Sequence, residues 1–241
     1  MALLEARGVR VRFGGLQAVD DVSLDVEAGT IVGLIGPNGA GKTTTFNALS
    51  GVQACSGKVV LDGADVSHEP VHKRATRGMA RTFQRLEVFG SMSAFDNIRT
   101  AAEIAGRAQR RGIGEAAATA REIVDRLGLV PVADRRADAL PTGQGRLVEL
   151  GRALATRPKI VLLDEPASGL NESETERLST VLEAVRDDGI GVLLVEHDMD
   201  LVMQLCSTIY ALNFGTVIAS GTPAQIRKDP AVQDAYLGSA V

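Results

Sequence analysis

Cysteine is scarce in this chain of 241 residues, with only Cys55 and Cys206 far apart and no companion ligand spacing. That excludes a disulfide framework and a cysteine-held metal, and it fits a reducing cytosol. Long apolar runs are missing as well. The longest hold about five or six residues, against roughly 20 needed to span a bilayer, so a membrane role has to come through a partner. The start, Met1-Ala2-Leu3-Leu4-Glu5-Ala6-Arg7, has no basic stretch leading into an apolar one and does not read as a signal peptide. Positive charge is not in excess. Lysine and arginine total 26 against 30 acidic residues, a net charge of -4 that gives no ground for nucleic acid as the main partner. The one dense basic cluster, Arg107, Arg110 and Arg111, is short and reads as a solvated helix end. No internal repeat or low-complexity tract is visible.

What remains is an ordinary globular composition, 45% hydrophobic and 23% charged, in a chain long enough for one large domain or a domain with a lobe. The first thirty residues alternate as strands do, at Val9, Val11 and Phe13 and again at Val22, Leu24 and Val26. Ile31 to Ile35 is a compact apolar run entering a glycine-rich loop. Thr43 to Leu49 then reads as a helix stopped by Gly51, and residues 58–61 as a short strand. From about 86 to 156 the chain is rich in Ala, Arg and Glu, with helical periodicity at Ile123, Leu127 and Leu129. Buried-strand runs return at 160–163 and 192–195 around a helix at about 172–186, which implies a parallel sheet. Two further strands, near 208–213 and 216–219, precede short terminal helices. The expected fold class is α/β: a mixed-sheet core, an N-terminal antiparallel β lobe and an inserted helical subdomain.

Gly36-Pro37-Asn38-Gly39-Ala40-Gly41-Lys42-Thr43 fits the phosphate-binding loop, with a strand before it and a helix after. Its glycines let successive N–H groups face phosphate oxygens, and the helix N-terminus adds its dipole. Lys42 should reach the β- and γ-phosphates and Thr43 should ligate Mg²⁺. Asn38, Gly39, Ala40, Gly41, Lys42, Thr43 and Thr44 are the candidate nucleotide-binding residues. At the end of the strand 160–163, Asp164 would hold the metal and Glu165 would be the general base for the attacking water. Taken alone, an acidic pair after a strand is more often a helix cap or a loop; with the phosphate loop present the balance reverses.

The order and spacing of further motifs resemble the nucleotide-binding domain of ABC transporters. Thr82-Phe83-Gln84 resembles the Q-loop, Leu140-Pro141-Thr142-Gly143-Gln144 stands at the signature motif, and Ser168-Gly169-Leu170-Asn171 at the D-loop. Glu196-His197-Asp198 is similar to the switch histidine, and Phe13 falls where the family stacks an aromatic on adenine. The resemblance implies ATP and Mg²⁺ as cofactors, Gln84 as a metal and γ-phosphate sensor, and His197 as a contact of the γ-phosphate and Glu165. It also implies one nucleotide-binding domain, with a core of about 1–84 and 157–241 and a helical subdomain of about 85–156.

Arg81-Thr82-Phe83-Gln84, Phe214-Gly215, Ile218-Ala219-Ser220-Gly221-Thr222-Pro223 and Ala235-Tyr236-Leu237-Gly238 resemble one branch, the ATP-binding subunits of importers for branched-chain amino acids, amides or urea. The implied partners are integral-membrane permease subunits and a second ATPase subunit paired head to tail, as a homo- or heterodimer. A substrate-binding protein would be an indirect partner, and the expected location is peripheral, on the cytoplasmic face of the inner membrane. Thr142, Gly143 and Gln144 would meet the partner's nucleotide in trans. One position departs from the family: Pro141 stands where a serine hydroxyl is expected, and proline offers neither a hydroxyl nor an N–H. The rival function class is a non-transport ABC ATPase of DNA repair or translation. Such proteins carry coiled-coil insertions, zinc-binding cysteines or tandem modules, none of which is present in this sequence.

Overall fold

The computed structural model describes residues 2–108 and 115–237; Arg110, Arg111 and Gly238 of the motifs above lie outside that range. The chain opens with two long strands, β1 (Ala2–Phe13) and β2 (Leu16–Glu27), and then β3 (Ile31–Ile35) runs into α1 (Lys42–Ser50). There follow β4 (Ser56–Leu61), β5 (Ala64–Asp65), α2 (Val71–Thr76) and β6 (Met79–Arg81). The described part of the middle section holds three long helices, α3 (Ala94–Ala108), α4 (Glu115–Arg126) and α5 (Thr142–Ala155). The remainder alternates: β7 (Ile160–Asp164), α6 (Glu172–Asp187), β8 (Gly191–Val195), α7 (Met199–Leu205), β9 (Thr208–Asn213) and β10 (Thr216–Gly221). It ends in α8 (Pro223–Ile226) and α9 (Pro230–Leu237).

Six strands form the central sheet in the order β10-β9-β3-β8-β7-β6, parallel throughout except for β10. Its inner strands β3, β7 and β8 are short and apolar, save for Asp164 at the end of β7, because both faces are covered. Ile31 and Ile35 pack with α3–α7 on one face, whereas Val32 and Leu34 pack with β1, β2 and α1 on the other. The same division holds in β7, where Val161 and Leu163 face one cluster and Ile160 and Leu162 face the other. A four-stranded antiparallel sheet, β2-β1-β4-β5, forms the front lobe. The strand β6 was not legible from sequence; three residues are too few to show a period, and it forms because Met79–Arg81 pairs with Ile160–Leu162.

Parallel strands β3, β6, β7 and β8 end at one edge of the sheet, where ligands bind in open α/β folds. At that edge the loop after β3 is enclosed on several sides. A Cβ on Gly36, at φ 152, would lie 2.2 Å from the Leu212 carbonyl oxygen, and one on Gly41, at φ 102, would lie 2.7 Å from that of Ala18. The Gly215 N–H donates to the Ala40 carbonyl at 2.9 Å, and the Gly36 N–H donates to the Tyr236 hydroxyl at 2.9 Å. The base of the loop is thereby braced by β2, by the β9–β10 turn and by the last helix.

Tyr236→Phe removes the acceptor for the buried Gly36 N–H. The expected cost is about 1–3 kcal/mol of stability, read by urea unfolding, with weaker nucleotide binding alongside. At the start of α6, Asn171 and Glu174 form a reciprocal capping box, each side chain accepting from the other's backbone N–H at 3.0 Å. Asn171→Ala is expected to cost about 1 kcal/mol in the same experiment.

Candidate functional site

The glycine-rich loop delivers Lys42 as the first residue of α1, with Gly41 in the left-handed conformation before it and no side-chain cap on the helix. The N–H groups of its first turn therefore have no intrahelical partner. Lys42 is buried, and its ammonium donates to the Gly36 and Pro37 carbonyls at 2.7 and 3.1 Å. Burial pulls its pKa down, while the nearby charges of Glu165 and Asp164 push it up. Thr43 is exposed and Thr44 half-buried beside it, and Asn38 and Gly39 form the exposed tip above buried Ala40. Phe13, 49% exposed at the end of β1, presents a largely open ring.

Asp164 closes β7 and is 1% exposed. Its Oδ2 accepts from Arg81 at 3.1 Å, and its backbone N–H donates to the Thr82 hydroxyl at 3.3 Å. Burial raises its pKa, and Arg81 opposes that rise. Oδ1 is buried with no hydrogen-bond partner in the described structure. An orphaned carboxylate oxygen of this kind fits a magnesium site with one carboxylate, a hydroxyl such as that of Thr43, water and substrate phosphates completing the shell. Among the described residues no cluster of three or more His, Cys, Asp or Glu could form an all-protein cage.

Glu165 follows at φ 52, a conformation that non-glycine residues seldom adopt. Its carboxylate is fastened on both sides. Gln84 donates from Nε2 to Oε2 at 2.9 Å, and His197 Nε2 lies 2.7 Å from Oε1. Three segments separated widely in the chain thus meet at one carboxylate. The switch position is itself set by Glu196, a buried residue whose carboxylate accepts from the Ala167 and His197 N–H groups at 2.6 and 3.1 Å. Burial raises the Glu196 pKa, and those backbone donors lower it.

Thr142, Gly143 and Gln144 start α5, with Pro141 as the residue before the helix and no side-chain cap. They are not gathered with Lys42 and Glu165. Thr142 instead lies beside Gly169, with its Cγ2 3.5 Å from where a Cβ on that glycine would stand, and Gly143 packs closely on Glu174. Thr142 is exposed, as a residue presented to another molecule would be.

Two further contributors carried no role in the sequence reading. Arg81 donates to Asn47 Oδ1 at 2.6 Å and Ser50 Oγ at 3.0 Å besides Asp164, and its guanidinium lies 5.0 Å from the Phe83 ring centroid. Tyr236 is the other. Both stand inside the branch motifs, and their available signal was chemical: an arginine closing a buried strand, and one of only two tyrosines in the chain.

Comparison with known proteins agrees with this geometry. Residues 19–168 match the family described as "ABC transporter", and residues 216–241 match "Branched-chain amino acid ATP-binding cassette transporter". The high-affinity branched-chain amino acid transport ATP-binding protein BraF of Pseudomonas aeruginosa is 43% identical, over 99% of this chain and 98% of that protein. LivG of Escherichia coli K12, of the same description, is 40% identical with the same coverage. The lipopolysaccharide export system ATP-binding protein LptB of E. coli K12 is 36% identical, again over 99% and 98%. Among solved structures, MJ1267, an ATP-binding cassette of an ABC transporter, superposes with a TM-score of 0.89 at 28% identity, covering 98% of this chain and 99% of that one. The fold is thus the P-loop NTPase fold of ABC cassettes, and the chain belongs to the ABC transporter ATP-binding family, whose members are ATPases that energise transport.

Proposed function

We propose that the chain is the ATP-hydrolysing subunit of an importer for branched-chain amino acids or related small polar solutes, working as a single nucleotide-binding domain against membrane permease subunits. The cargo rests on the C-terminal match and on BraF and LivG, which are more similar to this chain than LptB is. The observation that carries the mechanism is Glu165, held by Gln84 and His197 beside the phosphate loop.

ATP lies along the loop from Asn38 to Thr44, with adenine over Phe13 and the β- and γ-phosphates taking the ammonium of Lys42 from the Gly36 and Pro37 carbonyls. Thr43, Asp164 and Gln84 would hold Mg²⁺, which when bound would neutralise phosphate charge. Glu165 accepts the proton of the water that attacks the γ-phosphorus, and the bond to the β-phosphate oxygen breaks. His197 keeps that carboxylate aimed. The uncapped start of α5 offers the N–H groups of Thr142, Gly143 and Gln144 to the γ-phosphate of a partner subunit, so two chains paired head to tail complete the sites. Permease docking is supported by a groove of about 470 Å³ between the core and helices α3 and α5. Val52, Val71, Phe83, Phe89 and Ile104 line it and are all at least 44% exposed. No helix among the described residues is long and apolar enough to cross a membrane, which is compatible with peripheral attachment at the cytoplasmic face; a substrate-binding protein would act through the permease.

Glu165→Gln is expected to bind Mg-ATP, lose hydrolysis by at least about a hundredfold, and accumulate as an ATP-dependent dimer in size-exclusion chromatography. Hydrolysis at the wild-type rate would remove Glu165 as the base. Pro141 supplies no hydroxyl to the partner's nucleotide, so the site served by this chain's own α5 is the weaker one, and a heterodimer with a related ATPase is favoured. Pro141→Ser in the assembled transporter should raise hydrolysis or ATP affinity; neither changing would count against an impaired site.

A further inference from the structure

Helix α5 carries three charged residues at successive intervals of three, Arg146, Glu149 and Arg152, which share one face. The first two are almost fully buried, with side chains 8% and 6% exposed, and pair at 3.2 Å. Their remaining hydrogen bonds go to the backbone on either side of Gln84. Arg146 donates from Nη1 to the Phe83 carbonyl at 3.2 Å and from Nη2 to the Gln84 carbonyl at 2.7 Å. Glu149 Oε1 accepts from the N–H groups of Phe83 and Glu87 at 3.3 and 3.4 Å. Arg152 adds a bond to the Glu87 carbonyl and lies 4.5 Å from the Phe89 ring centroid.

Burying an ion pair gives little net stability, because desolvation consumes most of the attraction and apolar side chains of equal volume do as well. What the pair does provide is direction. A loop has no lattice of its own to hold its peptide groups, and here four of them are fixed by two side chains on a rigid helix. Gln84 sits inside that set, and its side chain reaches Glu165 at 2.9 Å. The N-terminal turn of the same helix carries Thr142, Gly143 and Gln144.

We propose that Arg146 and Glu149 are positioning residues for hydrolysis: they clamp the backbone around Gln84 so that its amide reaches Glu165, and they tie that placement to the helix that serves the partner's nucleotide. The inference rests on Gln84 and Glu165 acting in hydrolysis as proposed above. The clamp acts through Gln84 at this chain's own nucleotide, where the phosphate loop, Thr43 and Asp164 retain ATP and its metal without it, so its loss is a loss of turnover rather than of binding.

The test is a double-mutant cycle on ATPase kinetics in the assembled transporter. Arg146→Met with Glu149→Leu removes both charges together at similar volume. It should lower kcat roughly tenfold with KM for ATP changed by no more than about twofold. In a Gln84→Ala background the same pair should cost nothing further, because the group it positions is gone. Wild-type kcat, a change confined to KM, or losses that multiply with Gln84→Ala would each overturn the clamp. If Gln84→Ala alone leaves kcat unchanged, the proposed role of Gln84 fails first and the clamp with it. Should the apolar pair not fold, Arg146→Lys keeps the charge for Glu149 but cannot give one nitrogen to each carbonyl. It should show a smaller loss of kcat that again vanishes beside Gln84→Ala, and full activity would overturn the proposal.

Discussion

Between Ile35 and Lys42 the backbone must leave a buried strand, curl, and enter a helix while other main-chain atoms press against it at close range. The carbonyls of Leu212 and Ala18 occupy the space that side chains at Gly36 and Gly41 would need. That proximity makes the loop a rigid seat for phosphates. A seat that must accept several negative charges with its N–H groups cannot reorganise on each turnover without losing the benefit of preorganisation. In the sheet order β9 lies beside β3, which places the β9–β10 turn where the Gly215 N–H reaches the Ala40 carbonyl and braces the loop.

Around that seat the chemistry is distributed by topology. Parallel strands deliver Arg81, Asp164 and the Glu196-His197 pair to one edge, each a single residue or two past the last buried apolar position. Glu165 takes a left-handed backbone conformation to turn its carboxylate between Gln84 and His197. Such a conformation costs of order 1–3 kcal/mol and persists only where the surroundings over-determine it. Here they include the backbone bond from the Glu165 N–H to the Val195 carbonyl at 2.9 Å.

His197 was singled out only by the resemblance to ABC cassettes, whereas the phosphate loop, Asp164 and Glu165 were legible in the sequence because each follows a short apolar run of the buried-strand kind. The helix at 42–50, the strands at 160–164 and 191–195 and the helix at 172–187 were legible for the same reason. β6 and β5 were not, since strands of three and two residues exist only through their neighbours' pairing. Nor were the roles of Arg81 and Tyr236, whose partners stand 83 and 200 positions away. Arg146 and Glu149 were read only as part of a helix, because the peptide groups they hold have no signature in side-chain order.

The Tyr236 contact has a consequence during synthesis. The loop that seats the phosphates leaves the ribosome early, whereas the hydroxyl bracing Gly36 and the turn bracing Ala40 lie in the final sixth of the chain. Translation proceeds from the N-terminus, so the growing polypeptide carries an unbraced loop until α9 has been made and has docked. Nucleotide therefore meets a fully braced seat only after α9 has folded back on Gly36, long after the loop itself was made.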